Sequence, residues 1–356
     1  MRAVLLDAPG SLESALRIAD VPVPAPGPGE VLIRVEACGV CRSNLHMIEG
    51  DWVAFGVPAK QPIIPGHEVV GTVESTGPGV EHVSTGDRVG VQPLWSTCGW
   101  CSYCISAREH LCLNKETTGE TVDGGYAEYM LANALHTYAV PDNLDSAEAA
   151  PLFCPGVTAY SAVVNARVRP GDRVAIFGLG GVGHMVVQFA RLAGAEVIAV
   201  ARGREHLAVA RELGAAQTID AREPDALREL EAGGGVDAAI VFAPSDEVAR
   251  QAVRATRRGG VVVLGINADL GQLTFFENRS IVGSVIGNRA QMREVLRLAA
   301  AGRIRTVTES HPLDDAVDVL RRLQRGEIRS RAVLTPAAVT LSASAAGSSP
   351  ESLRRG

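Results

Sequence analysis

The sequence has 356 residues, of which 46% are hydrophobic and 21% charged, enough for two domains with sizeable cores. A net charge of -6 and the lack of a basic run with interleaved aromatic residues argue against nucleic-acid binding. No apolar stretch is long enough to span a membrane, and the N-terminus lacks the apolar core of a signal peptide. Seven cysteines without an export signal predict reduced thiols in a cytoplasmic protein.

Short apolar runs between proline and glycine residues predict a β-rich first part, up to about residue 150. The strand candidates are Val31–Ala37, Gly66–Val73 and Asp87–Val91. Segments such as Pro24–Gly29 separate them. We therefore expect a β-rich region in this part of the chain.

From about Pro151, strands alternate with helical stretches. Arg173–Phe177 predicts a strand, Gly183–Gly194 a helix, and Glu196–Ala201 a second strand. Further strands are predicted at Gln217–Ile219, Val236–Phe242, Gly260–Leu264 and Ile281–Ile286. This alternation is typical of a doubly wound parallel sheet.

The last part of the chain has two patterns. Residues 291–335 are predicted to be helical before they end in a strand at Arg331–Leu334. Residues 336–356 are rich in Ala and Ser and carry too few apolar side chains to offset their ordering entropy. We therefore predict that this tail is disordered.

Four cysteines lie close together, at Cys98, Cys101, Cys104 and Cys112. Thiols at two-residue gaps cannot easily reach separate partners, but their sulfur atoms can converge on one tetrahedral ion. Four thiolates with no open position hold structural zinc. The pattern predicts such a zinc, with a disulfide cluster or four unrelated thiols as alternatives.

A glycine motif directly follows the strand that ends at Phe177 and opens a helix. In this context, a GxGxxG pattern predicts a dinucleotide site. Gly178 would make the tight turn, Gly180 would let the backbone approach a pyrophosphate, and Gly183 would allow close helix–strand packing. The alternative is a glycine turn without a ligand.

The end of the second strand bears on the choice of cofactor. An NAD site usually places an acidic residue there to bind the adenosine ribose, but this chain has Ala201. Arg202 and Arg204 follow, and guanidinium groups suit a phosphate. The pattern favours NADP over NAD, unless both arginines are solvated and the site accepts either cofactor.

Three more candidate ligands, Cys41, His67 and Cys154, are far apart, and their spacing alone does not group them. With their neighbours in Gly39–Cys41 and Gly66–Glu68, the four-cysteine segment and the glycine motif, they make residues 1–335 resemble zinc-dependent medium-chain alcohol dehydrogenases. The resemblance implies that these three residues bind a catalytic zinc with an open fourth position. Such a zinc lowers the pKa of a bound hydroxyl or polarises a carbonyl.

The resemblance also implies the fold class and the domain limits. The class is α/β, with a β-rich GroES-like catalytic domain plus a Rossmann cofactor domain built on a doubly wound parallel sheet. Residues 1–152 would form the catalytic domain with both zinc sites, and 153–288 the NAD(P)-binding domain. Residues 289–335 would return to the catalytic domain, followed by the tail 336–356.

Further roles follow from the same resemblance. Ser43 and His46 occupy the positions of a proton relay that passes through a cofactor ribose hydroxyl. Glu68 corresponds to a transient zinc ligand, with an ordinary buried carboxylate as the alternative. The implied cofactor contacts are Arg42 and Arg331 to the pyrophosphate and Thr158 to the nicotinamide.

One position departs from the family pattern. Family members usually have Asp where this chain has Asn44, and that carboxylate accepts the second ring N–H of the zinc-bound histidine. We expect the amide oxygen of Asn44 to accept this bond from His67 without contributing charge, giving a less basic His67 and a more electrophilic zinc. The remaining cysteine, Cys38, is expected to pack as a small apolar side chain.

The function implied by the resemblance is interconversion of alcohols with aldehydes or ketones by hydride transfer with NAD(P) and two zinc ions per chain. Trp52 and Trp95 are candidate walls of a pocket for slim or flat apolar substrates. A homo-oligomer, either a tetramer or a dimer, is expected. Two alternatives are a zinc-free quinone or enoyl reductase, and a silent NAD(P)-binding protein that keeps only the structural zinc.

Overall fold

The structure is a computed structural model that describes residues 1–223 and 225–336. Among them, no helix has the length and apolar character needed to cross a bilayer. The predicted disorder of 336–356 falls outside the described residues apart from Pro336. The elements before residue 166 are β1 (Arg2–Leu6), α1 (Leu12–Ala15), β2 (Leu16–Asp20), β3 (Glu30–Gly39), α2 (Arg42–Glu49), β4 (Val69–Thr76), β5 (Arg88–Val91), β6 (Leu94–Ser96), α3 (Ser102–Ile105), β7 (Glu116–Thr117), β8 (Tyr129–Asn133), β9 (Thr137–Ala139), α4 (Ser146–Ala149) and α5 (Pro155–Asn165).

The later elements alternate between strands and helices until the chain returns to the first sheet. They are β10 (Arg173–Phe177), α6 (Gly181–Leu192), β11 (Glu196–Ala201), α7 (Arg204–Glu212), β12 (Gln217–Asp220), α8 (Ala226–Ala232), β13 (Val236–Val241), α9 (Asp246–Ala255), β14 (Thr256–Leu264), β15 (Ser280–Gly283), α10 (Arg289–Ala300), β16 (Thr308–Pro312), α11 (Ala316–Arg325) and β17 (Arg331–Thr335).

The first sheet has the strand order β16-β17-β3-β4-β5-β9, and β8 also pairs with β3. Its pairs are antiparallel, apart from β16 with β17. Apolar residues of this sheet pack with β1, α2 and α11 into one core that includes the fully buried Cys38. Cys38 therefore packs as an apolar residue, as expected.

The predicted strand Gly66–Val73 begins later, at Val69. Gly66 has φ +99°, and a Cβ at this position would lie 2.5 Å from the ring of Tyr126. The chain therefore turns at Gly66 against a neighbouring segment before it enters the sheet. This turn leaves His67 and Glu68 just before β4 rather than within its ladder.

The second sheet contains six parallel strands in the order β12-β11-β10-β13-β14-β15. The chain fills one side of β10 first and then crosses to the other side, which is the doubly wound order. The predicted Rossmann sheet is confirmed, with small differences at the ends of elements. The helix expected at Gly183–Gly194 is α6, and the strand expected at Ile281–Ile286 is β15.

The prediction that residues 291–335 are helical up to the last strand is wrong for β16. This segment, Thr308–Pro312, pairs in parallel with β17 at the edge of the first sheet. An edge strand buries little side-chain area, and this one has mostly polar residues without apolar alternation. Its pattern therefore lacks the signal on which strand prediction depends.

The strand β17 returns the last part of the described chain to the first sheet. Val333 and Leu334 pair with Gly39 and Cys38 of β3 in antiparallel register. The N–H of Val40 also donates to the carbonyl of Ala332 at 2.9 Å. The end of the described chain thus lies beside the segment that leads from β3 into α2.

The three glycines of the GxGxxG pattern, in the turn between β10 and α6, differ in how the fold constrains them. Gly178 has φ +95°, a conformation that side chains disfavour. A Cβ on Gly183 would lie 2.0 Å from the carbonyl oxygen of Gly178, whereas a Cβ on Gly180 would meet no atom within 4 Å. The first and third glycines are therefore required by the fold itself, while Gly180 faces open space.

We predict different effects for two Gly→Ala substitutions in this turn. Gly183→Ala should lower the free energy of unfolding by about 1–3 kcal/mol, because the new methyl group meets a fixed carbonyl oxygen. Gly180→Ala should stay within about 0.5 kcal/mol of the wild type. Urea unfolding followed by circular dichroism measures both, and equal stability of the two variants would contradict this account of the turn.

Candidate metal centres

Cys98, Cys101, Cys104 and Cys112 converge in the loop between β6 and β7. The Sγ atoms of Cys98 and Cys104 are 3.8 Å apart, those of Cys101 and Cys104 3.5 Å, and those of Cys112 and Cys98 3.6 Å. Zn–S bonds of about 2.3 Å place four tetrahedral sulfur atoms about 3.8 Å apart. All four are free thiols, so the donor set fits zinc, and the alternative of a disulfide cluster is not what the structure contains.

Backbone hydrogen bonds also favour the thiolate form in this cluster. The backbone N–H of Trp100 lowers the pKa of Cys98 to about 6, and the N–H of Cys101 acts in the same direction. A lowered pKa favours the thiolate, which is the form that binds a metal. Because all four positions around the centre are sulfur, a metal here has no position for a substrate.

A second cluster joins Cys41, His67, Glu68 and Cys154, with one ligand atom from each within 4.8 Å of the others. The Sγ atoms of Cys41 and Cys154 are 3.8 Å apart. Cys41 caps the N-terminus of α2, His67 precedes β4, and Cys154 precedes α5. Three separate elements thus bring together the residues that sequence spacing could not group.

The chemistry of this second cluster also fits zinc. Two sulfur atoms and one imidazole are typical ligands of a catalytic site that keeps a fourth position open. A hydrogen bond from the Cys154 thiol holds the pKa of Cys41 well below its ordinary value, despite burial. Proximity to that thiolate and burial raise the pKa of Cys154. A dication would balance the charge of both sulfur atoms.

Glu68 forms a buried ion pair with Arg331. Both side chains are almost fully buried, at 0% and 7% exposure. The guanidinium Nε donates to Glu68 Oε2 at 3.1 Å, and an Nη atom donates to Oε1. On its other side Arg331 approaches the glycine turn, since a Cβ on Gly181 would lie 3.0 Å from its Nη1. Arg331 therefore lies between the second cluster and the turn.

The two ring nitrogens of His67 face different surroundings. Nε2 lies 3.2 Å from Ser43 Oγ and 4.0 Å from Glu68 Oε1, on the side of the thiols. Nδ1 is buried and has no hydrogen-bond partner among the described residues. The Glu120 carboxylate lies 3.7 Å from it. Nε2 is thus the nitrogen that faces the cluster.

The expectation that Asn44 accepts a hydrogen bond from His67 is wrong. Asn44 Oδ1 accepts instead from the backbone N–H of Cys41 at 3.3 Å and from the hydroxyl of Tyr126 at 2.9 Å. A backbone N–H can only donate, so this contact assigns the oxygen of the amide. Asn44 is the third residue of α2 and caps the helix, so its oxygen is taken up by the helix N-terminus.

His46 lies on the face of α2 opposite to Asn44 and has a carboxylate partner. Its Nδ1 is 2.7 Å from Asp51 Oδ2, and its ring stacks on Trp52 with centroids 5.5 Å apart. The side chain of His46 remains 32% exposed. When Nδ1–H donates to Asp51, Nε2 is left free to accept a proton.

Only some of the predicted cofactor contacts lie around the glycine turn between β10 and α6. Thr158 follows Cys154 by one turn of α5, and its hydroxyl is buried without a partner among the described residues. β11 ends at Ala201 as predicted, and Arg202 and Arg204 are exposed beside it. Arg42 is also exposed, at the start of α2. An unpaired hydroxyl and open space at the second glycine fit a bound dinucleotide.

Comparisons with known proteins show the family of this chain. One family model, "Alcohol dehydrogenase GroES-like domain", matches residues 27–142, and another, "Zinc-binding dehydrogenase", matches residues 181–301. An alcohol dehydrogenase of Geobacillus stearothermophilus is 42% identical over 340 residues, which cover 94% of this chain and 99% of that protein. The chain belongs to the zinc-dependent medium-chain alcohol dehydrogenase family.

Two further members of the alcohol dehydrogenase family extend the likeness. An alcohol dehydrogenase of Moraxella sp. (strain TAE123) is 40% identical, with 90% of this chain and 96% of that protein covered. The crystal structure of the alcohol dehydrogenase of the archaeon Aeropyrum pernix is 34% identical with a TM-score of 0.88, and covers 94% of this chain and 100% of that one. The likeness therefore includes both domains.

Sequence reasoning for this family member missed three residues beside the predicted site. Asp51 pairs with His46, Tyr126 donates to Asn44, and Glu120 faces His67. Asp51 follows His46 by five residues, just beyond the C-cap Gly50 of α2, a nearby carboxylate that the sequence could have suggested. Tyr126 and Glu120 come from distant loops and have no local signal. Trp95 is half-buried on β6, and its role in a pocket stays a prediction.

Proposed function

We propose that this protein interconverts alcohols with aldehydes or ketones by hydride transfer to and from a nicotinamide cofactor. The observation that carries the proposal is the buried cluster of Cys41, His67 and Cys154, which Arg331 connects to the glycine turn. This cluster would hold a catalytic zinc. Zinc bound there lowers the pKa of an alcohol hydroxyl and polarises a carbonyl.

Ser43 and His46 would carry the proton that leaves the alcohol oxygen as hydride leaves its carbon. Ser43 Oγ lies on the Nε2 side of His67, where a substrate hydroxyl would be bound. His46 is nearer to solvent, with Nε2 free to accept because Asp51 holds the proton on Nδ1. Ser43 would take up the substrate proton and His46 would release it to water, and a ribose hydroxyl of the bound cofactor would supply the link between the two side chains.

Trp52 and Trp95 are proposed to narrow the substrate pocket. Trp52 stacks on the His46 ring and also packs against the core of the catalytic domain. This double contact supports a rigid aromatic wall next to the relay. Slim or flat apolar alcohols fit such a wall best.

Metal content and rates test the proposal together. We expect two zinc ions per chain and turnover of simple alcohols and aldehydes in a screen of primary, secondary and aromatic substrates. Cys154→Ser should remove one zinc and lower kcat/KM by at least about 100-fold, because zinc polarisation is worth several kcal/mol. Cys38→Ala, which changes a buried thiol outside the cluster, should keep both.

The alternative functions give different results in the same measurements. One zinc per chain without turnover would indicate the silent binding protein, and no zinc would indicate a quinone or enoyl reductase. The presence of all three ligands in one cluster speaks against both. Turnover that survives Cys154→Ser unchanged would sink the proposed mechanism.

We also propose that the enzyme prefers NADP. Ala201 brings no carboxylate to the end of β11, and Arg202 and Arg204 are free to bind a 2′-phosphate. kcat/KM should be higher with NADP than with NAD. Replacing both arginines by alanine should reduce kcat/KM by at least about 100-fold with NADP and little with NAD, since each of the two lost charged hydrogen bonds contributes about 1.5–3 kcal/mol. A higher kcat/KM with NAD in the wild type would reverse this assignment.

We further propose a homo-oligomer in which a second copy covers the outer edge of β15. Among the described residues, β15 pairs only with β14, so one edge of the second sheet is open. Phe275, Phe276 and Val285 lie exposed near that edge, at 83%, 77% and 52%. Sedimentation analysis should show a dimer or tetramer, and Phe275→Glu together with Phe276→Glu should shift it towards the monomer. A wild-type monomer would refute this assembly.

A further inference from the structure

The ring nitrogen Nδ1 of His67, in the second cluster, lacks the hydrogen-bond acceptor that is expected there. A histidine that binds a metal almost always donates its other ring N–H to a carboxylate, a carbonyl or a water. His67 Nδ1 is buried and unpartnered among the described residues. The family position for its acceptor holds Asn44, whose oxygen is occupied by Cys41 and Tyr126.

Glu120 is the carboxylate placed to fill this gap. Its Oε1 lies 3.7 Å from His67 Nδ1, and its side chain is only 14% exposed. The carboxylate takes part in no hydrogen bond within the described chain, so its oxygens remain available. A hydrogen bond of ordinary length needs an approach of only about 0.5–1 Å, which rotation of the glutamate side chain can supply.

The backbone holds Glu120 next to His67. The loop is closed by hydrogen bonds from Gly119 N–H to the Val122 carbonyl at 2.9 Å and from Glu120 N–H to the Thr117 carbonyl at 3.2 Å. A Cβ on Gly119 would lie 2.7 Å from the backbone nitrogen of Gly66. The residue before Glu120 and the residue before His67 are therefore in close backbone contact, and the N–H of Gly125 donates to the Gly66 carbonyl at 2.9 Å, which joins the two segments.

We propose that Glu120 is the positioning residue of His67. It accepts the Nδ1–H, keeps the lone pair of Nε2 directed at the thiols, and supplies from a separate loop the charge that Asn44 lacks. The inference rests on the proposed role of His67 as a zinc ligand. Glu120 acts through the histidine and touches neither substrate nor cofactor.

Zinc retention under chelator challenge tests this role without recourse to turnover. Glu120→Gln removes the charge and keeps the size, and Glu116→Gln, an exposed carboxylate on β7, is the matched control. In Glu120→Gln the catalytic-site zinc should bind about 10–100-fold more weakly, while the four-cysteine zinc stays as in the wild type. The control should leave both unchanged, and Glu120→Asp, which keeps the charge, should recover part of the affinity.

Cobalt substitution gives an independent signature. The visible spectrum of cobalt at the Cys41, His67 and Cys154 site should shift in Glu120→Gln and not in Glu116→Gln. Wild-type retention by Glu120→Gln, equal weakening of both metal sites, or an aspartate variant as weak as the glutamine variant would overturn the assignment to Glu120. A wild-type protein without metal at this cluster would instead refute the proposed function on which it rests.

Discussion

The buried ion pair between Glu68 and Arg331 connects the parts of the active region. Glu68 precedes β4, and Arg331 begins β17, the strand that returns from the far end of the chain. Removing one partner from such a pair leaves an uncompensated buried charge, which costs about 3–5 kcal/mol. The pair therefore fixes β17 beside the metal cluster. Arg331 also lies against the glycine turn of the second sheet.

The metal cluster depends on this arrangement because its ligands come from three different elements. The two sulfur atoms lie 3.8 Å apart, and the hydrogen bond between them lowers the pKa of Cys41 and raises that of Cys154. The polar groups around His67 have two separate roles. Asn44 caps the start of α2 and accepts a hydrogen bond from Tyr126, while Glu120 lies close to the His67 ring. Helix capping and ligand orientation are thus handled by separate side chains.

Features encoded by short spacing were predictable from the sequence. The four-cysteine centre and the glycine turn depend on residues close in the chain, and the alternation of strands with helical stretches was sufficient to predict the parallel sheet. The grouping of Cys41, His67 and Cys154 needed the family resemblance, because only the fold brings them together. β16 was missed since an edge strand needs no apolar alternation. The prediction for Asn44 was wrong because its oxygen accepts from Cys41 and Tyr126 instead of His67, a choice that depends on the folded geometry.

The two sheets end in different ways. β16 closes the first sheet with Thr308, Glu309, Ser310, His311 and Pro312, and Glu309 is also paired with Arg322. Charge and a terminal proline make such an edge a poor template for another strand. β15, at the end of the second sheet, carries Ile281 and Val282 and no charged residue. Uncontrolled strand addition is therefore discouraged at β16, whereas β15 presents an apolar edge that suits the proposed contact between copies of the chain.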